Sequence, residues 1–200
     1  MEASIRDDLI AIRWHGRGGQ GAITAARLVA ESAFASGYGG AVMTPTFGTE
    51  RRGAPVMTSL KIARQKIYDL SPISKPDMVV VLDHLLMEEA DVTGGLKPGG
   101  LVLINSPNPP EAYEKISDMT VATADVTAIA VKAGLPMGIV NTGIIGAFAK
   151  ASGVVTLDSL IGPIERAFQG KRPNRNVAAA KMAYEQTRMT KGLLHGPHTP

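Results

Sequence analysis

Cysteine is absent from the 200-residue sequence, and this is its most informative absence. Without thiolates the chain cannot ligate an iron–sulfur cluster, form a disulfide bond or use a cysteine nucleophile. No HExxH motif or other metal-ligand spacing is formed by the four histidines, which are His15, His84, His195 and His198. The sequence therefore predicts no metal site and no cysteine chemistry in this chain.

Long apolar runs and long basic runs are missing as well. No apolar stretch approaches the roughly 20 residues that span a bilayer, and Leu9–Ile12 is too short for the core of a signal peptide. Lysine and arginine number 21 against 18 aspartates and glutamates, a net charge of +3, and no basic stripe alternates with aromatic residues. We expect a cytoplasmic protein that binds neither membranes nor nucleic acid.

What the sequence does contain is a regular alternation of strand-like and helix-like segments. Leu9–His15 is rich in strand-forming residues, and in Gly21–Gly37 the apolar residues recur with helical spacing. Lys75–Asp83 and Leu96–Ser106 carry nearly continuous apolar runs, typical of strands buried on both faces of a parallel sheet. The pattern predicts an α/β fold with a Rossmann-like, doubly wound, mostly parallel sheet.

A β-hairpin is expected as an insertion into this sheet. Ala54–Asp69 alternates between apolar and polar residues, and its turn is predicted near Ala63–Gln65. No linker or internal repeat divides the chain, so residues 1–200 are expected to form a single domain.

The C-terminal third is predicted to be helical. Small residues in Met137–Gly153 predict a closely packed helix, and Thr156 is a candidate N-cap of the next one. Pro163 is a possible interruption of that second helix. Residues 191–200 are expected to form a mobile tail.

The glycine-rich segment HGRGGQGAIT, residues His15 to Thr24, is the first candidate site. Gly16, Gly18 and Gly21 follow a predicted strand and open a predicted helix, the context of a phosphate-binding turn. An NAD-binding fold also needs an acidic residue at the end of the second strand, and Val42–Thr44 provides none. Three alternatives stay open: another phosphate-bearing ligand, a nicotinamide dinucleotide, or a tight turn whose glycines serve packing alone.

The segment FGTERRGAPV, residues Phe47 to Val56, is the second candidate site. Glu50, Arg51, Arg52 and Gly53 lie between two predicted strands, and a guanidinium can clamp a phosphate or carboxylate with two hydrogen bonds. The simpler alternative is a solvated cluster of Glu and Arg around a turn.

Together, GRGGQGAITAARLVAESA and TFGTERRGAPV resemble the gamma subunit of the pyruvate/2-oxoacid:ferredoxin oxidoreductases, in which a G-x-G-G-Q-G turn precedes an E-R-R-G-x-P segment with this spacing. The segments PDMVVVLD, LKPGGLVLINS and VNTGIIGAFAK also resemble that family, so that the likeness extends from Ile12 to Gln169. The related indolepyruvate enzymes carry a loop more like S-Q-R-G-G. GTERRGAP therefore indicates the branch that acts on pyruvate, 2-oxoisovalerate and aromatic 2-oxoacids.

The resemblance implies a CoA-acylating oxidoreductase of anaerobic metabolism that works as a complex. Thiamine diphosphate attacks the 2-oxoacid, CO2 leaves, electrons pass to iron–sulfur clusters and the acyl group passes to coenzyme A. This chain has no G-D-G…N-N segment for the magnesium diphosphate of thiamine and no cysteine for clusters. Thiamine diphosphate, Mg and the 4Fe-4S clusters are thus expected on partner subunits, with ferredoxin or a flavin/NAD subunit as the acceptor. The chain alone is expected to be inactive and to hold no cofactor.

No catalytic residue is assigned in this chain, and the expected role of the two loops is to contact a ligand or a partner. Two alternatives to that role are a non-catalytic assembly subunit and a stand-alone NAD(P)-binding dehydrogenase. An anionic group is the candidate ligand of the arginines, with Gln20 and Asn141 as hydrogen-bonding neighbours, and Asn141 has packing between helices as its alternative. The predicted ligand-binding residues are Gly16, Arg17, Gly18, Gly19, Gln20, Gly21, Glu50, Arg51, Arg52, Gly53 and Asn141.

Overall fold

The first strand divides the molecule into two layers. In β1 (Ile10–Arg17), Ile12 and Trp14 lie in the hydrophobic core beneath the long helices. Successive side chains of a strand point to opposite faces of the sheet, so Arg13 and His15 face the other way. One strand thus places an apolar row and a basic row back to back.

The computed structural model describes residues 9–45 and 53–190. In chain order, the elements after β1 are α1 (Ala22–Ala35), β2 (Gly40–Pro45), β3 (Pro55–Ala63), β4 (Met78–Val81), α2 (Leu86–Glu89), β5 (Leu101–Asn105), β6 (Thr120–Ala124), α3 (Val126–Lys132), α4 (Asn141–Ser152), α5 (Leu157–Ala167), α6 (Pro173–Gln186) and β7 (Arg188–Met189). Two 3-10 turns, Pro110–Ala112 and Glu114–Ile116, precede β6.

In this part of the chain, seven strands form one sheet in the order β2-β3-β1-β4-β5-β6-β7. The strands β1, β4, β5 and β6 pair in parallel, and they form the centre of the sheet. The pairs β1–β3, β2–β3 and β6–β7 are antiparallel. The α/β architecture predicted from the sequence is confirmed.

The strands that follow β1 in the chain lie on both sides of it in the sheet. Through α1 the chain passes to β2 and β3 on one side of β1, and it later crosses to β4 on the other side. In open α/β sheets, ligands bind in the crevice outside the carboxyl ends of the strands at such a switch point. The fold therefore directs attention to the turns that follow β1 and β4.

Each face of the sheet has its own hydrophobic cluster. The larger cluster joins the sheet to α1, α3, α4, α5 and α6, and the rings of Trp14 and Phe148 approach to 5.3 Å between centroids there. The smaller cluster packs Val79, Val81 and Ile104 against Leu86 and other side chains of the opposite face. The long helices thus cover one face, and the short segments cover the other.

The predicted hairpin within Ala54–Asp69 is wrong in its second arm. The antiparallel pair consists of β2 and β3, and β3 has β1 on its other edge, so no edge remains for another strand. After Ala63 the chain leaves the sheet, and the buried Lys61 Nζ donates hydrogen bonds to the carboxylate and carbonyl of Asp69 and to Ser71. These bonds hold the segment in an irregular path.

Thr156 is confirmed as the N-cap of α5, and its hydroxyl and that of Ser159 form a reciprocal capping box. Pro163 lies inside α5, which continues through it to Ala167. The interruption expected at Pro163 is therefore wrong. Pro163 is one of the buried residues of α5. The expected tail at 191–200 lies outside the described residues.

Candidate functional site

The turn after β1 depends on glycine. Gly19 has φ 96° and Gly21 has φ 83°, a left-handed backbone that other residues rarely adopt. The turn closes on itself, because Gln20 N donates to the Arg17 carbonyl at 3.0 Å and the Gln20 side-chain oxygen accepts from Arg17 N at 2.8 Å. The sequence prediction of a glycine-dependent β–α turn is confirmed at these positions.

The turn leads directly into α1 without a side-chain cap. Gly21 is the N-cap residue, and no side chain accepts a hydrogen bond from the first turn of the helix. The first N–H groups of a helix have no partner within it and carry partial positive charge. This end of α1 therefore presents backbone donors at the carboxyl edge of β1, an arrangement that suits an anion.

Arg17 connects the turn after β1 to the turn after β4. Its Nε donates to Asp83 Oδ2 at 2.8 Å, and its Nη2 donates to Glu89 Oε1 at 2.6 Å. Gln20 Nε2 reaches the same Asp83 oxygen at 3.3 Å, and Leu85 N donates to Asp83 Oδ1 at 3.1 Å. Asp83 thus joins the turn before α2 to Arg17, a contact that the sequence does not predict, whereas α2 itself has no side-chain cap.

The hydrogen bonds between Arg17 and Asp83 favour the charged forms of both side chains. Burial alone would raise the pKa of Asp83, but hydrogen bonds from Arg17, Leu85 and Gln20 lower it below its ordinary value. Hydrogen bonds with Glu89 and Asp83 raise the pKa of Arg17. The crevice therefore holds a permanent guanidinium whose charge is balanced by two carboxylates.

Gly53 joins the second candidate loop to this turn. Gly53 N donates to the Gly18 carbonyl at 3.1 Å, and Gly18 N donates to the Ala54 carbonyl at 2.9 Å. Gly53 also has φ 86°, so glycine is required at this position too. The predicted residues Glu50, Arg51 and Arg52 lie outside the described residues.

Asn141 begins α4 and packs against the glycine turn. A Cβ atom on Gly21 would lie 2.9 Å from Asn141 Nδ2, so the two residues are in close contact. Asn141 is buried, and its Oδ1 accepts from Thr142 N at 2.9 Å. This contact is the packing role that the sequence offers as an alternative, and contact with a ligand stays a prediction.

Arg13 and His15 lie on the same face of β1 as Arg17. Arg13 Nη2 donates to the carbonyls of Val92 and Gly94 at 2.9 and 2.6 Å. The pKa of His15 falls to about 4, because burial disfavours the imidazolium and the charge of Arg13 opposes it. His15 is therefore neutral near pH 7.

The acidic partners of Arg17 are what the sequence analysis missed. Glu89 lies 72 positions from Arg17 in the chain, and no local pattern predicts a contact across such a separation. The run MEEAD after the buried strand is the signal that was available, because it places carboxylates at the same sheet edge as the glycine turn. Within residues 9–45 and 53–190, no group of three or more His, Asp or Glu side chains could hold a metal ion. No helix in those residues is long and apolar enough to cross a membrane.

Comparison with known proteins shows the family to which the chain belongs. Residues 11–186 match the sequence profile of the family described as pyruvate ferredoxin/flavodoxin oxidoreductase. The pyruvate/ketoisovalerate oxidoreductases common subunit gamma of Thermococcus litoralis is 46% identical over 90% of this chain and 97% of its own. Pyruvate synthase subunit PorC of Methanothermobacter thermautotrophicus is 45% identical over 89% of this chain and 96% of its own.

A solved structure gives the same result for the fold. The crystal structure of pyruvate oxidoreductase subunit PORC from Thermotoga maritima superposes with a TM-score of 0.79 at 31% identity, covering 92% of this chain and 99% of that one. The likeness therefore holds over nearly the whole length of both proteins. Sequence and fold together show that the chain belongs to the pyruvate ferredoxin/flavodoxin oxidoreductase family.

Proposed function

We propose that this chain is the gamma subunit of a complex that oxidatively decarboxylates a 2-oxoacid, pyruvate or a branched or aromatic relative, to acyl-CoA and CO2. The support is the family match over residues 11–186 and the near full-length likeness to gamma and PorC subunits. The name "common subunit gamma" of one relative implies further subunits in that relative's complex. In this proposal, activity requires partner chains.

The residues of this chain indicate which cofactors its partner subunits hold. It contains no cysteine, so thiolate-held 4Fe-4S clusters belong to a partner subunit. Thiamine diphosphate with Mg supplies the decarboxylation chemistry and belongs to another partner. Ferredoxin, or a flavin/NAD subunit, accepts the electrons, and coenzyme A is the acyl acceptor. The complex works in the cytoplasm, apart from nucleic acid and membranes.

The role of this chain is to contribute an anion-binding rim to that complex. The rim comprises Gly16–Gly21, Glu50–Gly53 and Asn141, and its ligand is an anionic group of coenzyme A, of the 2-oxoacid or of a partner chain. The observation that carries the proposal is the backbone pairing of Gly53 and Ala54 with Gly18. That pairing brings the end of the E-R-R-G segment beside the uncapped start of α1.

A purely structural role in assembly is the second candidate, and one observation favours it. The charge of Arg17 is already balanced within the chain by Asp83 and Glu89. A rim whose charges are satisfied internally can serve to hold two turns together without touching a ligand. The two candidates differ in what an arginine variant changes.

The test uses Arg52→Ala in the complex purified through a tag on this chain. A single charge-assisted hydrogen bond is worth about 1.5–3 kcal/mol, so the rim role predicts at least a tenfold rise in KM for coenzyme A. Arg166→Ala is the matched control, because this arginine is exposed on α5 and forms a long ion pair with Glu31, at 3.7 Å. Unchanged KM values for both coenzyme A and the 2-oxoacid would rule out a ligand contact by Arg52. Loss of subunits from the purified complex would instead indicate the assembly role.

A further inference from the structure

The guanidinium of Arg17 is held by two carboxylates in different ways. Asp83 takes the Nε position at 2.8 Å, and Glu89 takes Nη2 at 2.6 Å. Among the residues that the structure describes, the third nitrogen, Nη1, has a single long contact, 3.5 Å to the Gly53 carbonyl. The edge formed by Nη1 and Nη2 is therefore the edge at which a bidentate anion would bind.

Asp83 is firmly fixed. Its side chain is 16% exposed, and it accepts hydrogen bonds from Gln20 Nε2 and Leu85 N in addition to Arg17 Nε. A carboxylate with three donors in a half-buried turn is costly to displace, because each abandoned donor would lose its partner. Asp83 is thus expected to keep Arg17 in position whatever else binds nearby.

Glu89 is held much more loosely. Its side chain is 47% exposed, and within the described part of the chain its hydrogen bond to Arg17 is its sole one. It is the last residue of the four-residue helix α2. An exposed ion pair contributes little stability and is readily exchanged for another partner.

We propose that Glu89 is an exchangeable counter-ion for Arg17, displaced from the Nη edge when a phosphate group of coenzyme A enters the crevice. Asp83 is the positioning residue that holds the guanidinium in place during the exchange. Phosphate is the favoured anion because the glycine turn that follows Arg17 leads directly into the uncapped N-terminus of α1. The inference rests on the proposed function, in which the rim receives an anionic ligand.

If Glu89 competes with coenzyme A for Arg17, a substitution of Glu89 should increase the affinity for coenzyme A. Removing the Glu89 charge weakens its hold on the Nη edge of Arg17 and makes the surroundings of the guanidinium more positive, so coenzyme A should bind more tightly. A merely structural contact would, when broken, leave affinity unchanged or weaken it. The direction of the change therefore separates the two roles.

The test compares Glu89→Gln with Glu88→Gln in the assembled complex. Both variants remove one negative charge from α2, but Glu88 is exposed and has no ion pair in the described residues. We expect Glu89→Gln to lower the Kd and KM of coenzyme A by about three- to tenfold at low ionic strength, with the gain shrinking as salt is added. The KM of the 2-oxoacid should not change, and inorganic pyrophosphate should compete more strongly with coenzyme A than in the wild type.

The double variant tests the positioning role of Asp83. With Asp83→Asn in place, Arg17 loses its anchor, so adding Glu89→Gln should produce no gain in affinity for coenzyme A. A full gain in the double variant would overturn the role of Asp83. Equal Kd values for Glu89→Gln and Glu88→Gln would overturn the role of Glu89, as would a gain confined to the 2-oxoacid.

Failure of this inference is distinguishable from failure of the proposed function. If Arg52→Ala raises the KM of coenzyme A while Glu89→Gln behaves like Glu88→Gln, the rim binds its ligand and only the counter-ion exchange is wrong. If Arg52→Ala changes neither KM and neither glutamate variant alters the binding of coenzyme A, the rim role itself is wrong.

Discussion

Gly21 shows how one residue can be constrained twice. Its φ of 83° requires glycine for the backbone, and its missing side chain leaves room for Asn141. The first constraint shapes the turn after β1, and the second brings the start of α4 against it. The backbone constraint is local, and the contact with Asn141 is long-range. An experiment can separate the two.

Gly21→Ala is expected to lose more stability than Gly37→Ala. Both glycines have positive φ, and the left-handed backbone alone costs a non-glycine residue about 1–2 kcal/mol. A Cβ on Gly37 meets nothing within 4 Å, whereas one on Gly21 meets Asn141 at 2.9 Å. Overpacking should add about 1–3 kcal/mol to the Gly21 variant, visible in thermal or urea unfolding of the isolated chain. Equal losses in the two variants would show that Asn141 moves aside without cost.

At the scale of elements, the sequence predicts strands and turns better than it predicts which of them meet. The alternation in β1 and the apolar run of β4 depend on neighbours within a few residues, so they can be recognised directly. β3 pairs with both β1 and β2. The alternation of apolar and polar residues within a strand does not indicate which strands become its neighbours. For the same reason Arg17 is recognisable as a candidate, but its partners Asp83 and Glu89 are not.

The small residues of α4 are an example in which composition does predict packing. Gly146 lies where α4 crosses α6, and a Cβ on it would overlap the carbonyl oxygen of Ala180. The closely packed helix expected for Met137–Gly153 is confirmed by this contact. Helix packing at such a position requires backbone atoms to approach without an intervening side chain.

Gly146→Ala should therefore lose more stability than Gly162→Ala. Alanine at 146 forces α4 and α6 apart, at a cost of about 1–3 kcal/mol or more. Beyond its chain neighbours, alanine at 162 meets the end of the flexible Arg166 side chain at 3.2 Å. Its gain in helix propensity, up to about 1 kcal/mol, is offset by the crowding of its Cβ against the ring of the following Pro163. The free energy of unfolding from urea titration measures both. A neutral Gly146→Ala would mean that the two helices can separate freely.

For the whole molecule, the notable feature is that the two faces of the sheet differ in polarity. The helix-covered face buries apolar side chains, including Ile12 and Trp14. The other face holds the buried Arg13 and the half-buried His15 beside its smaller hydrophobic cluster. Buried titratable groups couple the folding of the entire chain to pH.

Stability should fall on mild acidification because of His15. Its pKa is about 4 in the folded chain and about 6.5 when unfolded, so between these values the unfolded state binds more protons. The free energy of unfolding should thus be lower at pH 5 than at pH 7 by about 1–2 kcal/mol from this group. His15→Gln should remove that part of the difference, whereas His84→Gln should retain it. An unaltered pH 7 to pH 5 difference in His15→Gln would contradict the assignment.

The position of Trp14 has an optical consequence. It is the single tryptophan of the sequence, it is fully buried, and it stacks obliquely on Phe148 of α4. Its indole faces the long helices, whereas the glycine turn and its acidic partners lie at the end of the strand. The tryptophan fluorescence of the isolated chain should therefore report on the packing of α4 against the sheet. Binding at the glycine turn that leaves the helical layer unchanged should not alter this fluorescence.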